Sequence, residues 1–195
     1  MSYPIFNTEE DDITNYIKIF VIGDSNTGKT SIIKKFIQNK SNIDSTLPTV
    51  DLDIFIKNII TFTDNIKVKF YDFSGKTDLS ILKNYLSYTE KDIFILFYDI
   101  NNIKTFINLV KYIEKINKMT NIKYIFNIIG NKIKNNSTEN ITEIIDNFIK
   151  FNKNINHYSL IERTFESCII EIINKQNNNN IIEKKSDNKL NCTIL

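Results

Sequence analysis

Gly23-Asp24-Ser25-Asn26-Thr27-Gly28-Lys29-Thr30 is the string that most narrows what this chain can become. It matches Gly-x4-Gly-Lys-Ser/Thr. It lies between a β-branched and aromatic run, Tyr16 to Ile22, and a segment with helical apolar spacing, Lys29 to Asn39, through Ile32, Ile33, Phe36 and Ile37. A strand that turns through glycines straight into a helix aims several backbone N–H groups, and the positive end of the helix dipole, at one place. That place suits an anion, and the motif makes the anion a phosphate. Lys29 adds a mobile positive charge for it, and the Thr30 hydroxyl is a hard oxygen suited to Mg²⁺.

The rest of the chain supports the same architecture. Asp51 to Lys57 and Ile66 to Asp72 look like a strand pair around the polar turn Thr63-Asp64-Asn65. Asp78 to Thr89 reads as a helix, and Asp92 to Tyr98 as a fully buried strand. An amphipathic helix follows, Ile103 to Met119, carrying Phe106, Leu109, Val110, Ile113 and Ile116. Ile122 to Ile129 is a strand, Asn140 to Asn152 a helix entered through Thr138, Ile155 to Tyr158 a strand and Arg163 to Lys175 a closing helix. Strands separated by helices imply right-handed crossovers. The expected fold is α/β: doubly wound, with a mainly parallel six-stranded sheet and helices on both faces. Ligands of such a fold bind at the carboxyl ends of the strands. Residues 176–195 are Asn- and Lys-rich without period and read as a flexible tail.

Composition removes competing classes. A net charge of +2 over 195 residues argues against a nucleic-acid binder, which would concentrate basic residues on one face. The two cysteines, Cys168 and Cys192, suggest no disulfide framework and point to a reducing compartment. The polar start, Met1 to Asp12, lacks the apolar stretch of a signal peptide. Cys168 falls in a helical pattern and reads as core. His157 is the only histidine and reads as a strand-edge residue, while Phe106 and Tyr112 read as packing.

Four further strings carry a resemblance. Leu47-Pro48-Thr49-Val50, Asp72-Phe73-Ser74-Gly75, Gly130-Asn131-Lys132 and Ser159-Leu160-Ile161 fall in order after Gly23 to Ser31. Together they resemble the motifs of the Ras-superfamily small GTPases, most closely the Rab branch, over nearly the whole chain from about Tyr16. The resemblance implies a P-loop NTPase fold of the small G-protein type, binding GTP or GDP with Mg²⁺. It implies a lead-in over 1–15, a GTPase-like domain over 16–175 and a tail over 176–195. Nucleotide contacts would come from Ser25, Asn26, Thr27, Gly28, Lys29, Thr30, Ser31, Thr49, Gly75, Asn131, Lys132, Ser159 and Leu160. Lys29, Thr49 and Gly75 would serve the reaction at the γ-phosphate, and Thr30, Thr49 and Asp72 the metal. The Leu160 N–H is expected to meet a base oxygen. Asn26 stands where many relatives have Gly, and Asn tolerates left-handed backbone better than most residues.

The chain departs from the pattern in several places. Lys76 replaces the Gln that orients the attacking water, and an ammonium donates but cannot accept. Slow intrinsic hydrolysis is expected. Lys134 replaces the Asp that accepts two hydrogen bonds from guanine. Each such bond is worth about 1.5–3 kcal/mol, so guanine affinity and selectivity are weakened. Ser41 stands where an aromatic usually leans on the base, although Ile43 can substitute, and one extra residue separates Lys29 from Thr49. The phosphate side of the site is kept and the base side is eroded.

Cys192-Thr193-Ile194-Leu195 resembles a Cys-a-a-X prenylation box, and its final Leu favours geranylgeranyl on Cys192. Lys184, Lys185 and Lys189 supply a modest second signal at an anionic leaflet. The resemblance implies a monomer at the cytosolic face of an intracellular membrane. Its partners would be an exchange factor, a GTPase-activating protein and effectors of vesicle traffic. Two alternatives stay open: a degenerate GTPase acting as a binding scaffold, and a small-molecule kinase. Arg163 is the only arginine, so an Arg-rich lid is lacking and any arginine finger must come from a partner.

Overall fold

A computed structural model of the chain describes residues 16–39, 49–60, 65–89, 91–132, 142–161 and 163–190. Strand β1, Ile17–Gly23, leads into helix α1, Lys29–Gln38. Strands β2, Leu52–Ile60, and β3, Asn65–Phe73, follow, then a short 3-10 helix, Leu79–Asn84. Strand β4 is Ile93–Asp99 and helix α2 is Ile103–Met119. Strand β5, Phe126–Asn131, helix α3, Thr142–Phe151, strand β6, Ile155–Ser159, and helix α4, Phe165–Leu190, complete the chain.

The strands form one six-stranded sheet in the order β2-β3-β1-β4-β5-β6. Only β2 runs antiparallel to its neighbour. The expected fold class is therefore observed. The central strands are apolar at nearly every position because both faces are covered. Phe20, Phe94, Leu96, Tyr98 and Phe126 face α2, α3 and the 3-10 helix, where Phe106, Leu109, Ile113 and Ile116 meet them. Ile19, Val21, Phe70, Ile95 and Phe97 face α1 and α4, where Ile33, Phe36, Cys168, Ile169 and Ile172 meet them. Cys168 is fully buried, as its helical position predicts.

Four boundaries differ from expectation. Asp78 to Thr89 is not one helix. The Asp78 carboxylate caps a 3-10 turn by accepting from the Ser80 N–H at 3.2 Å, and the buried Asp92 carboxylate accepts the Ser87 N–H at 2.7 Å. That second bond draws the chain toward β4 and ends the helical path. The strand expected from Ile122 starts only at Phe126, because β4 offers its first pairing partner there, Phe94 opposite Phe126. The Ile122 N–H instead closes on the Thr120 hydroxyl at 3.1 Å. Strand β2 runs three residues past Lys57, since β3 pairs it out to Ile60 opposite Asn65. Finally, the closing helix does not stop at Lys175 but continues through Leu190. No Gly or Pro interrupts Phe165 to Leu190, so nothing local breaks the helix once the buried turns have nucleated it.

The topology also sets the site. From β1 the chain goes to β3 on one side and later to β4 on the other, so the strand order reverses at β1. A crevice opens outside the carboxyl end of a strand at such a point. The Gly23 to Thr30 loop occupies it.

Candidate functional site

The loop is shaped by backbone that ordinary residues resist. Gly23 has φ +150°, and a Cβ there would meet the Phe97 carbonyl oxygen at 2.3 Å. Gly28 has φ +83°, and a Cβ there would meet the Asn131 amide nitrogen at 2.5 Å. Asn26 has φ +64°, the left-handed conformation that its side chain tolerates. The Thr27 hydroxyl donates to the Asp24 carbonyl at 2.9 Å, and Thr27 is fully buried. Ser25, Asn26 and Ser31 stay exposed around the mouth of the loop.

Lys29 is 5% exposed, and its ammonium donates to the Gly23 and Asp24 carbonyl oxygens at 2.8 Å each. Burial pulls its pKa below the ordinary lysine value, while Asp72 and Asp24 pull it back. The loop thus carries a cation inside its own curve, hydrogen-bonded to two neutral carbonyls, with the Asp72 and Asp24 charges acting on it.

Thr30, Thr49 and Asp72 come from three separate elements and converge. The Thr30 hydroxyl donates to Asp72 Oδ2 at 2.5 Å and lies 2.9 Å from the Thr49 hydroxyl. The Thr49 hydroxyl lies 3.5 Å from Asp72 Oδ2 and from Asp53 Oδ2. Asp53 is a member of this group that the sequence reading passed over. Its signal was a carboxylate in the strand just after Thr49. Asp72 is fully buried, its Oδ1 has no hydrogen-bond partner among the described residues, and its pKa is raised to about 6, first by burial and against the Thr30 bond. A buried carboxylate oxygen without a donor is costly unless a cation or a donor meets it. Two hydroxyls and two carboxylates make an all-oxygen set of the kind Mg²⁺ takes, together with water and substrate phosphate. Among the described residues no three His, Cys, Asp or Glu side chains gather to cage a metal by themselves. The residues present fit Mg²⁺ shared with a phosphate ligand.

Gly75 lies directly on the loop. A Cβ at Gly75 would stand 2.0 Å from the Ser25 nitrogen and 2.4 Å from the Asp24 carbonyl carbon, so only glycine permits this approach. Lys76, next in the chain, is exposed, and its N–H donates to the Ser74 hydroxyl at 3.4 Å.

On the opposite flank, Asn131 ends β5 and donates from its side chain to the Thr27 carbonyl at 3.0 Å. It braces the phosphate loop from below. Lys132 is exposed beside it. Ser159 ends β6, and its hydroxyl accepts the Ile161 N–H at 3.4 Å. The Leu160 N–H, expected to meet a base oxygen, instead donates to the Gly130 carbonyl at 3.0 Å. The sharp turn after β6 folds that donor back onto the neighbouring strand. Tyr112 also departs from expectation. It is not packing alone: its hydroxyl donates to Asp24 Oδ1 at 2.5 Å, and Asn108 donates to Asp24 Oδ2 at 2.8 Å. Lys134, Ser41, Ile43, Leu47, Pro48 and Cys192 lie outside the described residues, as do the lead-in 1–15 and the end of the tail.

A model of the Ras family matches residues 18–182. This chain belongs to the Ras family. Among curated proteins it is similar to the Ras-related protein RabZ of Dictyostelium discoideum, 32% identical over 114 residues, 58% of this chain and 49% of RabZ. It is 27% identical over 169 residues to the Ras-related protein RABG1 of Arabidopsis thaliana, 82% of each chain. It is 28% identical over 116 residues to the Ras-related protein SEC4 of Saccharomyces cerevisiae, 60% of this chain and 53% of that protein. The aligned part thus spans about half the length of RabZ and SEC4. The protein is a Rab-like small GTPase of the Ras superfamily.

Proposed function

We propose that the protein is a guanine-nucleotide switch with slow intrinsic hydrolysis, attached to a membrane and working in vesicle traffic. The observation that carries this reading is the meeting of Thr30, Thr49 and Asp72 beside the buried ammonium of Lys29. A phosphate chain entering the loop offers oxygens to Lys29, whose ammonium has a third donor to give while Gly23 and Asp24 hold the other two. The backbone N–H groups at the start of α1 face the same charge. Thr30, Thr49 and Asp72 are the residues to hold Mg²⁺, with Asp53 close behind. When bound, the ion would neutralise phosphate charge there. Thr49 meets the loop at Thr30 and Gly75 meets it at the Asp24–Ser25 peptide, and each belongs to a segment that a terminal phosphate can order. Lys76 cannot accept a proton-side hydrogen bond from water, which supports slow hydrolysis. Cys192 is the proposed prenyl site and Lys184, Lys185 and Lys189 its electrostatic help, with the membrane and trafficking roles resting on it and on the Rab likeness. An exchange factor, an activating protein and effectors are the expected partners.

A second reading has its own support. Lys134 stands where the family has a guanine-reading Asp, and the Leu160 N–H is engaged by Gly130. A weakened base site favours a binding scaffold that cycles slowly or not at all. The deciding experiment is to purify the protein with magnesium, denature it and identify the released nucleotide by chromatography. Stoichiometric GDP or GTP is expected. An empty protein, or one carrying adenine nucleotide, overturns the switch reading in favour of the scaffold.

A further inference from the structure

Asp24 is the first residue of the loop after Gly23, and four hydrogen bonds from the described residues converge on it. Its carbonyl oxygen accepts the Lys29 ammonium at 2.8 Å and the Thr27 hydroxyl at 2.9 Å. Its peptide link to Ser25 is the surface on which Gly75 lies. The place of that one peptide therefore sets where the lysine charge sits and where the Gly75 segment docks. The side chain of Asp24 points the other way, to α2. Both carboxylate oxygens are taken there, Oδ1 by the Tyr112 hydroxyl and Oδ2 by the Asn108 amide.

Asn108 and Tyr112 are four residues apart and so share one face of α2. That helix cannot drift. Asn102 caps it, accepting the Lys104 N–H at 3.2 Å, and Phe106, Leu109, Ile113 and Ile116 are buried against the sheet. Burial and the Asp24 carboxylate hold the Tyr112 phenol above its ordinary pKa, so it stays a donor.

We infer that Tyr112 and Asn108 are positioning residues of the phosphate site, acting through the Asp24 carboxylate to hold the Asp24–Ser25 peptide in place. They touch no ligand themselves. Strand β1 anchors the loop at one end and α1 at the other. The α2 pair anchors it in between, where Lys29 and Gly75 depend on it. Without the pair, Asp24 can swing to solvent, its carbonyl leaves Lys29, and the seat of Gly75 is lost. In its binding arm this inference rests on the nucleotide reading above.

The test uses the full chain loaded with fluorescent GDP and magnesium, and follows dissociation after excess unlabelled GDP. Tyr112→Phe removes one charge-assisted bond and leaves the ring, and about tenfold faster release is expected. Asp24→Ala should be faster still, and adding Tyr112→Phe to it should change nothing further, since the hydroxyl then has no acceptor. Release from Tyr112→Phe within twofold of the parent, or additive effects in the double variant, overturns the proposal. A packing role alone would lower the melting temperature without this non-additivity. If the parent chain takes up no guanine nucleotide, the switch reading has failed, and the positioning claim is read separately by amide hydrogen exchange on the ligand-free chain. Faster exchange at residues 25–29 in Tyr112→Phe, with β4 unchanged, sustains it. Unchanged exchange there overturns it.

Discussion

Replacing Gly28 by alanine puts a methyl group where φ is +83° and where the Asn131 amide nitrogen lies 2.5 Å from the new carbon. Two penalties arise, and they can be separated. The left-handed backbone costs an alanine about 1–2 kcal/mol. The contact cannot persist, so Asn131 must swing aside and give up its 3.0 Å bond to the Thr27 carbonyl, worth about 1 kcal/mol. The single variant should therefore lose about 2–3 kcal/mol, roughly 1 M in urea midpoint for a slope near 2 kcal/mol/M. In an Asn131→Ala background the crowding and the bond are already gone. Only the backbone penalty remains, so Gly28→Ala should cost about 1 kcal/mol less there, which the double-mutant cycle reports as coupling. Urea unfolding followed by circular dichroism, with EDTA present to remove ligand stabilisation, measures both. Equal costs in the two backgrounds would refute the crowding against Asn131. A cost below about 0.5 kcal/mol would refute the left-handed turn itself.

Lys76→Gln restores an amide that donates and accepts beside the reacting water, and single-turnover GTP hydrolysis should rise at least about tenfold; an unchanged rate removes Lys76 as the cause of slow turnover. Asp72→Asn deletes the buried charge from the Thr30, Thr49 and Asp53 group, and the magnesium concentration needed to retain nucleotide should rise about tenfold or more; unaltered magnesium dependence refutes that assignment. His157 accepts or shares a 2.9 Å bond with the Tyr98 hydroxyl, and burial lowers its pKa below 6.5 despite the opposing charge of Asp146. The unfolded chain then takes up the proton first, so stability from this group is full above about pH 6.5 and is lost as the pH falls. The parent should lose melting temperature relative to His157→Gln between pH 7 and pH 5.5, and a constant difference contradicts the assignment. Comparing the two proteins cancels Asp72, whose raised pKa acts in the opposite sense.

Phosphate chemistry was readable because it is local. Gly23, Gly28, Lys29 and Thr30 sit in eight consecutive residues, and a strand-to-helix turn needs no distant partner to aim its N–H groups. The central strands were readable for a related reason: Phe94 to Tyr98 is buried on both faces, so its run is apolar throughout. The element ends were not. Phe126 rather than Ile122 starts β5 because β4 begins at Ile93, a fact about another segment of the chain. The helix expected at Asp78 stops short because the Asp92 carboxylate captures the Ser87 N–H. The closing helix outruns its apolar pattern, since periodicity marks where a helix is buried and not how far its backbone bonds continue.

The motifs named their residues one at a time, and their grouping came from the sheet. Asp53 and Asp72 are register partners across β2 and β3, which brings both carboxylates to Thr49. Nothing in the spacing of 53 and 72 says so. Tyr112 read as a core aromatic because helical period alone cannot distinguish a ring that packs from a ring whose hydroxyl reaches out. Its carboxylate partner stands 88 residues away. By itself the amino-acid order determined the fold class and the loop, since these follow from short-range pattern and residue type. Tertiary structure alone decided which groups hydrogen-bond: Asp72 with the Thr30 hydroxyl, Asn131 with the Thr27 carbonyl, Tyr112 with Asp24. Hydrogen bonds act over about 3 Å, and only the folded sheet brings groups so distant in the chain that close.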